Sequence, residues 1–289
     1  MAFADELRGY IAAGFPAIWI NTAEHYDAVH DIFEICVAGS WNCIVWDIDL
    51  GFGGSAFVAE LFDKNEAATL KRPVNMLRSC VRIAQRAGAL SRNKTVFVLK
   101  NFHRPDIVGN SEVLQALRNA CDEGKSQETG WCFVVLAPTS KPPLEWESEF
   151  AHVEYPLPSA DQLYEIARGL ALPEELPSTP EEKAEAMAAA AGLTRRGAEN
   201  AFSLSILRHR CLQPELLWQL KATALKNCGY LTLYQGDASF DKLGGLEAYK
   251  QFSLCLLQSD HELAKPRGQL LLGVSGSGKS QAIKSLGAA

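Results

Sequence analysis

Near the end of the 289-residue chain, Gly273-Val274-Ser275-Gly276-Ser277-Gly278-Lys279-Ser280 fits the pattern G-x-x-x-x-G-K-[ST]. The residue types explain what such a loop does. Glycines let the backbone curl until successive N–H groups point inward at phosphate oxygens. The positive end of a following helix adds to the attraction. Lys279 would reach the β- and γ-phosphates, and the Ser280 hydroxyl would ligate Mg²⁺. The flanks suit this order: Gln269–Leu272 reads as a strand, and Gln281–Leu286 as the first turns of a helix. The implied ligands are ATP and Mg²⁺.

Binding a nucleotide is not hydrolysing it. Hydrolysis needs carboxylates on a later strand to hold the metal and orient water, together with charge stabilisation such as an arginine finger. Only nine residues follow Ser280, none of them acidic. The expectation is therefore a nucleotide-binding ATPase whose turnover requires a longer chain or an assembly, and no activity from these residues alone.

The elements upstream form a recognisable scaffold. Continuous apolar runs of strand length occur at Pro16–Asn21, Cys43–Trp46, Thr95–Lys100 and Trp131–Ala137, with a shorter one at His152–Tyr155. Helical patterns separate them: about Ala23–Ala38 with Thr22 as its N-cap, about Pro73–Gly88, and Glu112–Cys121. Asp47–Gly54 reads as a turn-rich loop. This alternation predicts an α/β fold with a parallel sheet covered on both faces, in a P-loop-NTPase-like or Rossmann-like layout. The expected catalytic groups are missing from it. The first strand ends in Asn21-Thr22-Ala23-Glu24, with neither Gly nor Lys, and the third ends in Lys100-Asn101, where hydrolysis would need acids.

Beyond Pro156-Leu-Pro158 the strand pattern stops, and four helix starts follow. Ser159 opens one to about Leu170. Thr179-Pro180-Glu181-Glu182 opens a second through Ala184–Ala191 to Gly192, a run that helix propensity accounts for. Thr194 opens a third to about His209, and Gln213-Pro214-Glu215 a fourth. The resulting division is an α/β core at residues 1–158, a helical subdomain at 159–228, a linker at 229–239, and a new unit at 240–289. The last contains Phe240-Asp-Lys-Leu-Gly244-Gly245-Leu246, a helix over about Glu247–Gln258, and the P-loop.

Together these features resemble the AAA family of ring-forming ATPases. More narrowly, they resemble the AAA ATPases first described as a hypothetical chloroplast reading frame, also found in cyanobacteria and other bacteria. The matching stretches are Thr95–His103, Tyr155–Pro158, Gly192–Thr194, Ala198–Phe202, and Phe240–Lys250 running into the P-loop. The resemblance implies a degenerate AAA-like module with a helical lid, then the opening of an ATP-binding AAA module that breaks off after its P-loop. It also implies that Gly244 and Gly245 lie against the adenine, although Lys242 stands where the family usually has an acid. A homo-oligomeric ring and a protein partner or substrate follow from the same resemblance. The alternative is a non-catalytic interaction module, built from the degenerate domain and lid, in which the P-loop segment plays no part.

Composition narrows the class. Apolar residues make up 47% and charged residues 21%, enough for a packed core and too apolar for a disordered chain. The net charge of −6 disfavours nucleic acid as a partner. No apolar run has the length of a membrane span, and Asp5, Glu6 and Arg8 interrupt any signal peptide. Eight cysteines without a CxxC pair read as reduced thiols, pointing to the cytoplasm, or to the plastid stroma if the chain is plastid-encoded. Asp47 and Asp49 at a strand end read as a turn before a metal site. His103 reads as a hydrogen-bonded structural residue, Arg195 and Arg196 as a solvated pair, and Lys141–Trp146 as a rigid loop.

Overall fold

A computed structural model describes residues 3–53, 68–91, 93–126, 130–139, 141–142, 144–147, 149–227, 238–257 and 268–287. The chain divides into two compact units, residues 1–213 and 214–289.

The N-terminal unit is built on a six-stranded sheet. In chain order the elements are α1 (Phe3–Ala12), β1 (Ala17–Asn21), α2 (His25–Ala38), β2 (Asn42–Asp47), β3 (Gly51–Gly53), α3 (Pro73–Ser91) and β4 (Thr95–Lys100). There follow α4 (Pro105–Val108), α5 (Ser111–Ser126), β5 (Trp131–Ala137) and β6 (Ala151–Glu154). The strand order is β3-β2-β4-β5-β1-β6, parallel throughout except for β3. Within the expected loop, the described residues 47–53 form more than a turn, and Gly54 lies outside the described residues. Gly51, at φ +76°, reverses the chain so that Gly51–Gly53 pairs antiparallel to β2.

Alternation along each strand sends side chains to two separate cores. Trp19, Trp46, Phe97, Leu99, Phe133 and Val135 face α3 and α5, meeting Leu77, Cys80, Val113 and Leu117. Ile18, Ile20, Val96, Val98, Val134 and Leu136 face α1 and α2, meeting Leu7, Ile11, Ile32 and Cys36. All seven residues of β5 are buried, which is why its sequence shows no polar alternation. The indole N–H groups of Trp19, Trp46 and Trp131 donate to the carbonyls of Thr139, Leu70 and Ala120, so these rings are buried without orphaned donors.

An all-helical segment follows, with α6 (Ala160–Leu170), α7 (Pro180–Ala190) and α8 (Arg195–His209). Each begins at a side-chain cap. Ser159 Oγ accepts from the Gln162 N–H while Gln162 Oε1 accepts from the Ser159 N–H. Thr179 and Glu182 make the same reciprocal pair. Thr194 Oγ1 accepts from the Gly197 N–H at 3.0 Å. Ala186, Ala189 and Ala190 are buried, so the Ala-rich run serves close packing in this segment as well as propensity.

Two expectations need correcting, the Thr22 cap and the Gln269–Leu272 strand. Thr22 does not cap α2; its Oγ1 accepts from the Glu24 N–H two residues on, forming a local turn. The Lys141–Trp146 loop carries a 3-10 turn at Leu144–Trp146 that buries Trp146. The Gln269–Leu272 strand is not formed: the segment has no strand partner among the described residues, and Leu270 and Leu272 are exposed. The linker residues 229–237 and Cys228 lie outside the described residues. Of the other cysteines, Cys36, Cys80, Cys121 and Cys132 are buried free thiols, Cys43 and Cys211 are half-buried, and Cys255 is exposed.

Phe97 lies at the centre of the sheet, fully buried and stacked on Phe133 with ring centroids 5.6 Å apart. Phe97→Ala is expected to destabilise the N-terminal unit by about 3–5 kcal/mol. Urea unfolding followed by tryptophan fluorescence checks this, because Trp19, Trp46, Trp131 and Trp146 all report on this core.

Candidate functional site

In the C-terminal unit, residues 214–289, α9 (Pro214–Asn227) comes first, followed by α10 (Glu247–Leu257) and α11 (Lys279–Leu286). The P-loop residues open α11. Gly276 and Gly278 sit at φ +81° and +80°, the left-handed region that a side chain would strain. A Cβ on Gly273 would lie 2.9 Å from Ser277 Oγ, so the loop closes tightly over this position. Lys279, the first helical residue, folds back over the loop. Its ammonium donates to the Gly273 carbonyl at 2.8 Å, the Val274 carbonyl at 2.7 Å and Ser277 Oγ at 3.3 Å. Ser280 is exposed beside it in the first turn, and Val274, Ser275 and Gly276 are exposed around the loop.

The glycine pair upstream belongs to the same unit. Gly245 takes φ +74° and Leu246 φ +62°, giving a left-handed corner immediately before α10. Ser285 Oγ on α11 donates to the Ser239 carbonyl at 3.0 Å, tying the P-loop helix to the start of the segment that leads to Gly244 and Gly245. Backbone donors, a lysine and a hydroxyl therefore converge at one helix start, a set that suits a polyphosphate with its cation.

In the N-terminal unit, the carboxyl ends of the parallel strands form a second edge. A cleft of about 440 Å³ opens there, lined by His25, Tyr26, Asp47, Leu50, Lys100 and Arg104 among others. Asp47 is tied down rather than solvated. Its Oδ1 accepts from the N–H groups of Asp49 and Leu50, and its Oδ2 lies 2.7 Å from Lys100 Nζ. Burial acts to raise this carboxyl, but the Leu50 N–H and the Lys100 ammonium outweigh it and hold the group below its ordinary range. Among the described residues no group of three or more His, Cys, Asp or Glu is placed to hold a metal.

Two histidines lie at this edge. Among the described residues the buried His103 Nδ1 and His25 Nε2 find no hydrogen-bond partner, so one ring nitrogen of His103 is unpaired where a hydrogen-bonded residue was expected. Burial lowers the pKa of both, aided at His25 by His103 and Lys100 and at His103 by Arg104.

Arg195 is drawn inward, while Arg196 is exposed as expected. The Arg195 guanidinium donates to Tyr155 Oη at 2.5 Å and lies 3.9 Å from Asp31 Oδ2, and the Tyr155 hydroxyl donates to Asp31 at 2.7 Å. The Arg195 backbone N–H donates to Glu24 Oε1. Sequence reasoning missed Glu24, Asp31 and Tyr155 as a group. The available signal was an acid at the strand-to-helix corner that P-loops fill with glycine and lysine.

Comparison with known proteins gives a consistent picture. The family model for the N-terminal domain of SpoVK-like AAA ATPases matches residues 3–155, and the model for the second domain of the same family matches residues 161–227. An uncharacterized AAA domain-containing protein ycf46 from Trieres chinensis is 23% identical over 297 aligned positions, covering 99% of this chain and 56% of the relative. Its counterpart in Guillardia theta is 22% identical, covering 99% and 55%. The chain thus spans about half the length of these curated relatives. Similar solved structures include C. elegans PCH-2, at 12% identity and a TM-score of 0.43, covering 79% of this chain and 70% of that one. The E. coli HORMA:CdnC:Trip13 complex matches at 11% identity and a TM-score of 0.44, covering 71% and 72%.

The two histidines set a sign for pH dependence. Their folded pKa values lie below the ordinary histidine value of about 6.5, so below that pH the unfolded chain binds protons that the folded one resists. Stability of the N-terminal unit should be fully present above this value and fall as pH drops through the range beneath it. In His103→Asn, the urea midpoint is expected to fall less between pH 7.5 and 5.5 than in the parent chain.

Proposed function

Because the chain belongs to the SpoVK-like AAA ATPases, we propose that it binds MgATP through residues 273–280 of its C-terminal unit. Membership of this family supports ATP-binding, AAA-type function in general. The observation that carries the specific site is the Lys279 ammonium, held over the Gly273 and Val274 carbonyls at the start of α11. A β- or γ-phosphate offers that ammonium a charged acceptor, which makes a stronger hydrogen bond than a neutral carbonyl. The roles follow from position. Backbone N–H groups of Val274, Ser275, Gly276 and Gly278 cradle the phosphates, joined by that of Ser277 once it leaves the Val274 carbonyl it now bonds, and Gly273 allows the loop to close. Lys279 neutralises charge, Ser280 ligates Mg²⁺, and Gly244 and Gly245 present backbone to the base. Bound Mg²⁺ supplies charge neutralisation across the phosphate oxygens.

Under the same proposal, residues 1–158 are a degenerate AAA-like core and 159–228 its lid. Residues 229–239 are a linker, and 240–289 begin the ATP-binding module. The core contributes no hydrolytic acid, because Lys100 and Asn101 close β4 and Lys100 is engaged with Asp47. Hydrolysis then belongs to a complete AAA module or an assembled ring of copies. The exposed Leu270 and Leu272 favour a second reading, in which the chain acts through its N-terminal unit as an interaction module and the P-loop segment is silent.

Titration of the 289-residue chain with a fluorescent ATP analogue separates the two. Binding should be saturable, and Lys279→Ala should weaken it at least about tenfold, or ~1.4 kcal/mol. Ser280→Ala should remove the dependence on Mg²⁺ while leaving metal-free binding in place. Equal affinity for the parent chain and Lys279→Ala would reject the P-loop assignment, and no binding to the parent would favour the interaction module.

A further inference from the structure

One buried acid at the carboxyl edge of the N-terminal sheet has no part in the P-loop chemistry. Glu24 lies three residues beyond the end of β1 and is the residue from which α2 starts, its carbonyl accepting from the Ala28 N–H. This is the strand-to-helix corner at which P-loop proteins hold phosphate against backbone N–H groups. Here the corner reads Asn21-Thr22-Ala23-Glu24, and Glu24 is only 8% exposed. Its Oε1 accepts from the Arg195 N–H, the first donor of α8, which has no acceptor within its own helix. Its Oε2 has no hydrogen-bond partner among the described residues. Glu24 is thus the residue from which α2 starts, while its carboxylate caps no N–H of α2 and instead takes the first N–H of α8, a helix end that carries partial positive charge.

The surroundings hold the lid helix in this approach. Thr194 Oγ1 takes the Gly197 N–H, so the first and third donors of α8 are both satisfied by side chains. A Cβ on Gly197 would lie 2.9 Å from Thr194 Oγ1, so the cap fits tightly. The Arg195 side chain reaches past the corner to Tyr155, just beyond β6, and to Asp31 on α2. Core and lid are joined at the corner after β1, on α2 and after β6.

We propose that Glu24 is a built-in surrogate for a phosphate group, which clasps the lid to the core and keeps the N-terminal unit closed without nucleotide. A carboxylate supplies acceptor oxygens as a phosphate would; burial raises its pKa, against the opposing pull of the Arg195 N–H and guanidinium. It is delivered covalently, with no loss of translational freedom on binding. It also excludes the ligand it imitates. A phosphate entering this corner meets a buried negative charge at short range in a medium of low dielectric, with neither the lysine nor the glycines that make a P-loop permissive. The N-terminal unit is then a rigid, nucleotide-indifferent body, and any response of the chain to ATP arises elsewhere.

Residue-resolved amide hydrogen exchange on the whole chain tests this. The Arg195 amide opens a helix, so its protection depends on Glu24. Glu24→Ala should speed exchange at Arg195 and its neighbours over 194–198 by at least about tenfold, the scale of one charge-assisted hydrogen bond. Amides of β4 and β5 should keep their protection. Glu24→Gln keeps the acceptor oxygen and the volume but loses the charge, and should show a smaller acceleration confined to the same residues. It serves as the deciding variant if Glu24→Ala does not fold. Saturating MgATP should leave exchange at 22–28 and 194–198 unchanged in the parent chain, whether or not the P-loop binds it. Unaltered exchange at Arg195 in Glu24→Gln, or slowing of 22–28 by MgATP, would overturn the proposal.

Discussion

Burial of the parallel sheet on both faces is the constraint from which the rest of the N-terminal unit follows. With β5 wholly buried and β4 nearly so, both faces need covering helices, α1 and α2 on one and α3 and α5 on the other, and all the parallel strands point the same way. Their carboxyl ends therefore gather at a single edge. Polar groups there need partners, and the backbone supplies several: Thr22 N–H donates to Ala137, Asn101 N–H to Leu136, and Tyr155 N–H to Asn21. The loops that close this edge bring Asp47 to Lys100 at the β2–β4 side, and Glu24, Asp31 and Tyr155 to Arg195 at the β1–β6 side, although each of these pairings joins residues far apart in sequence.

The chain uses the same local device twice and completes it in opposite ways. A helix start concentrates unpaired N–H donors and attracts negative charge. At Gly276–Ser280 the corner is built from glycines in left-handed conformations and a lysine, so it is suited to receive an anion. At Asn21–Glu24 it is built around an acid, so it carries the anion itself. The first arrangement makes charge balance depend on a ligand. The second makes it depend on the lid, through the Arg195 backbone and the Tyr155–Asp31 pair.

Much of the fold was legible because its signals are short-range. The strands show as continuous apolar runs, and the three lid helices show at Ser159, Thr179 and Thr194, where each cap bonds within three residues of itself. Errors arose where a local signal competed with a neighbour. Thr22 has the residue type of an N-cap, but its hydroxyl turned to the nearer Glu24 N–H. Gln269–Leu272 has a strand's composition, yet a strand requires a partner for its backbone, and none of the described residues provides one. Ala186, Ala189 and Ala190 gave a helix from propensity alone, and said nothing about which of them the lid would bury.

The sequence by itself determined the P-loop, its glycine positions and the lysine and serine that follow, because these act through backbone geometry confined to eight consecutive residues. It also determined the α/β alternation and the change to an all-helical lid, which are periodicities of single segments. Only the tertiary structure decided that Arg195 turns inward and that Glu24 meets its N–H across 171 residues of chain. No periodicity encodes that meeting. It depends on strand order, on which face each crossover helix takes, and on where the lid helix begins relative to the edge. Those are properties of the packed assembly of elements, and so the clasp becomes visible only when they are all in place.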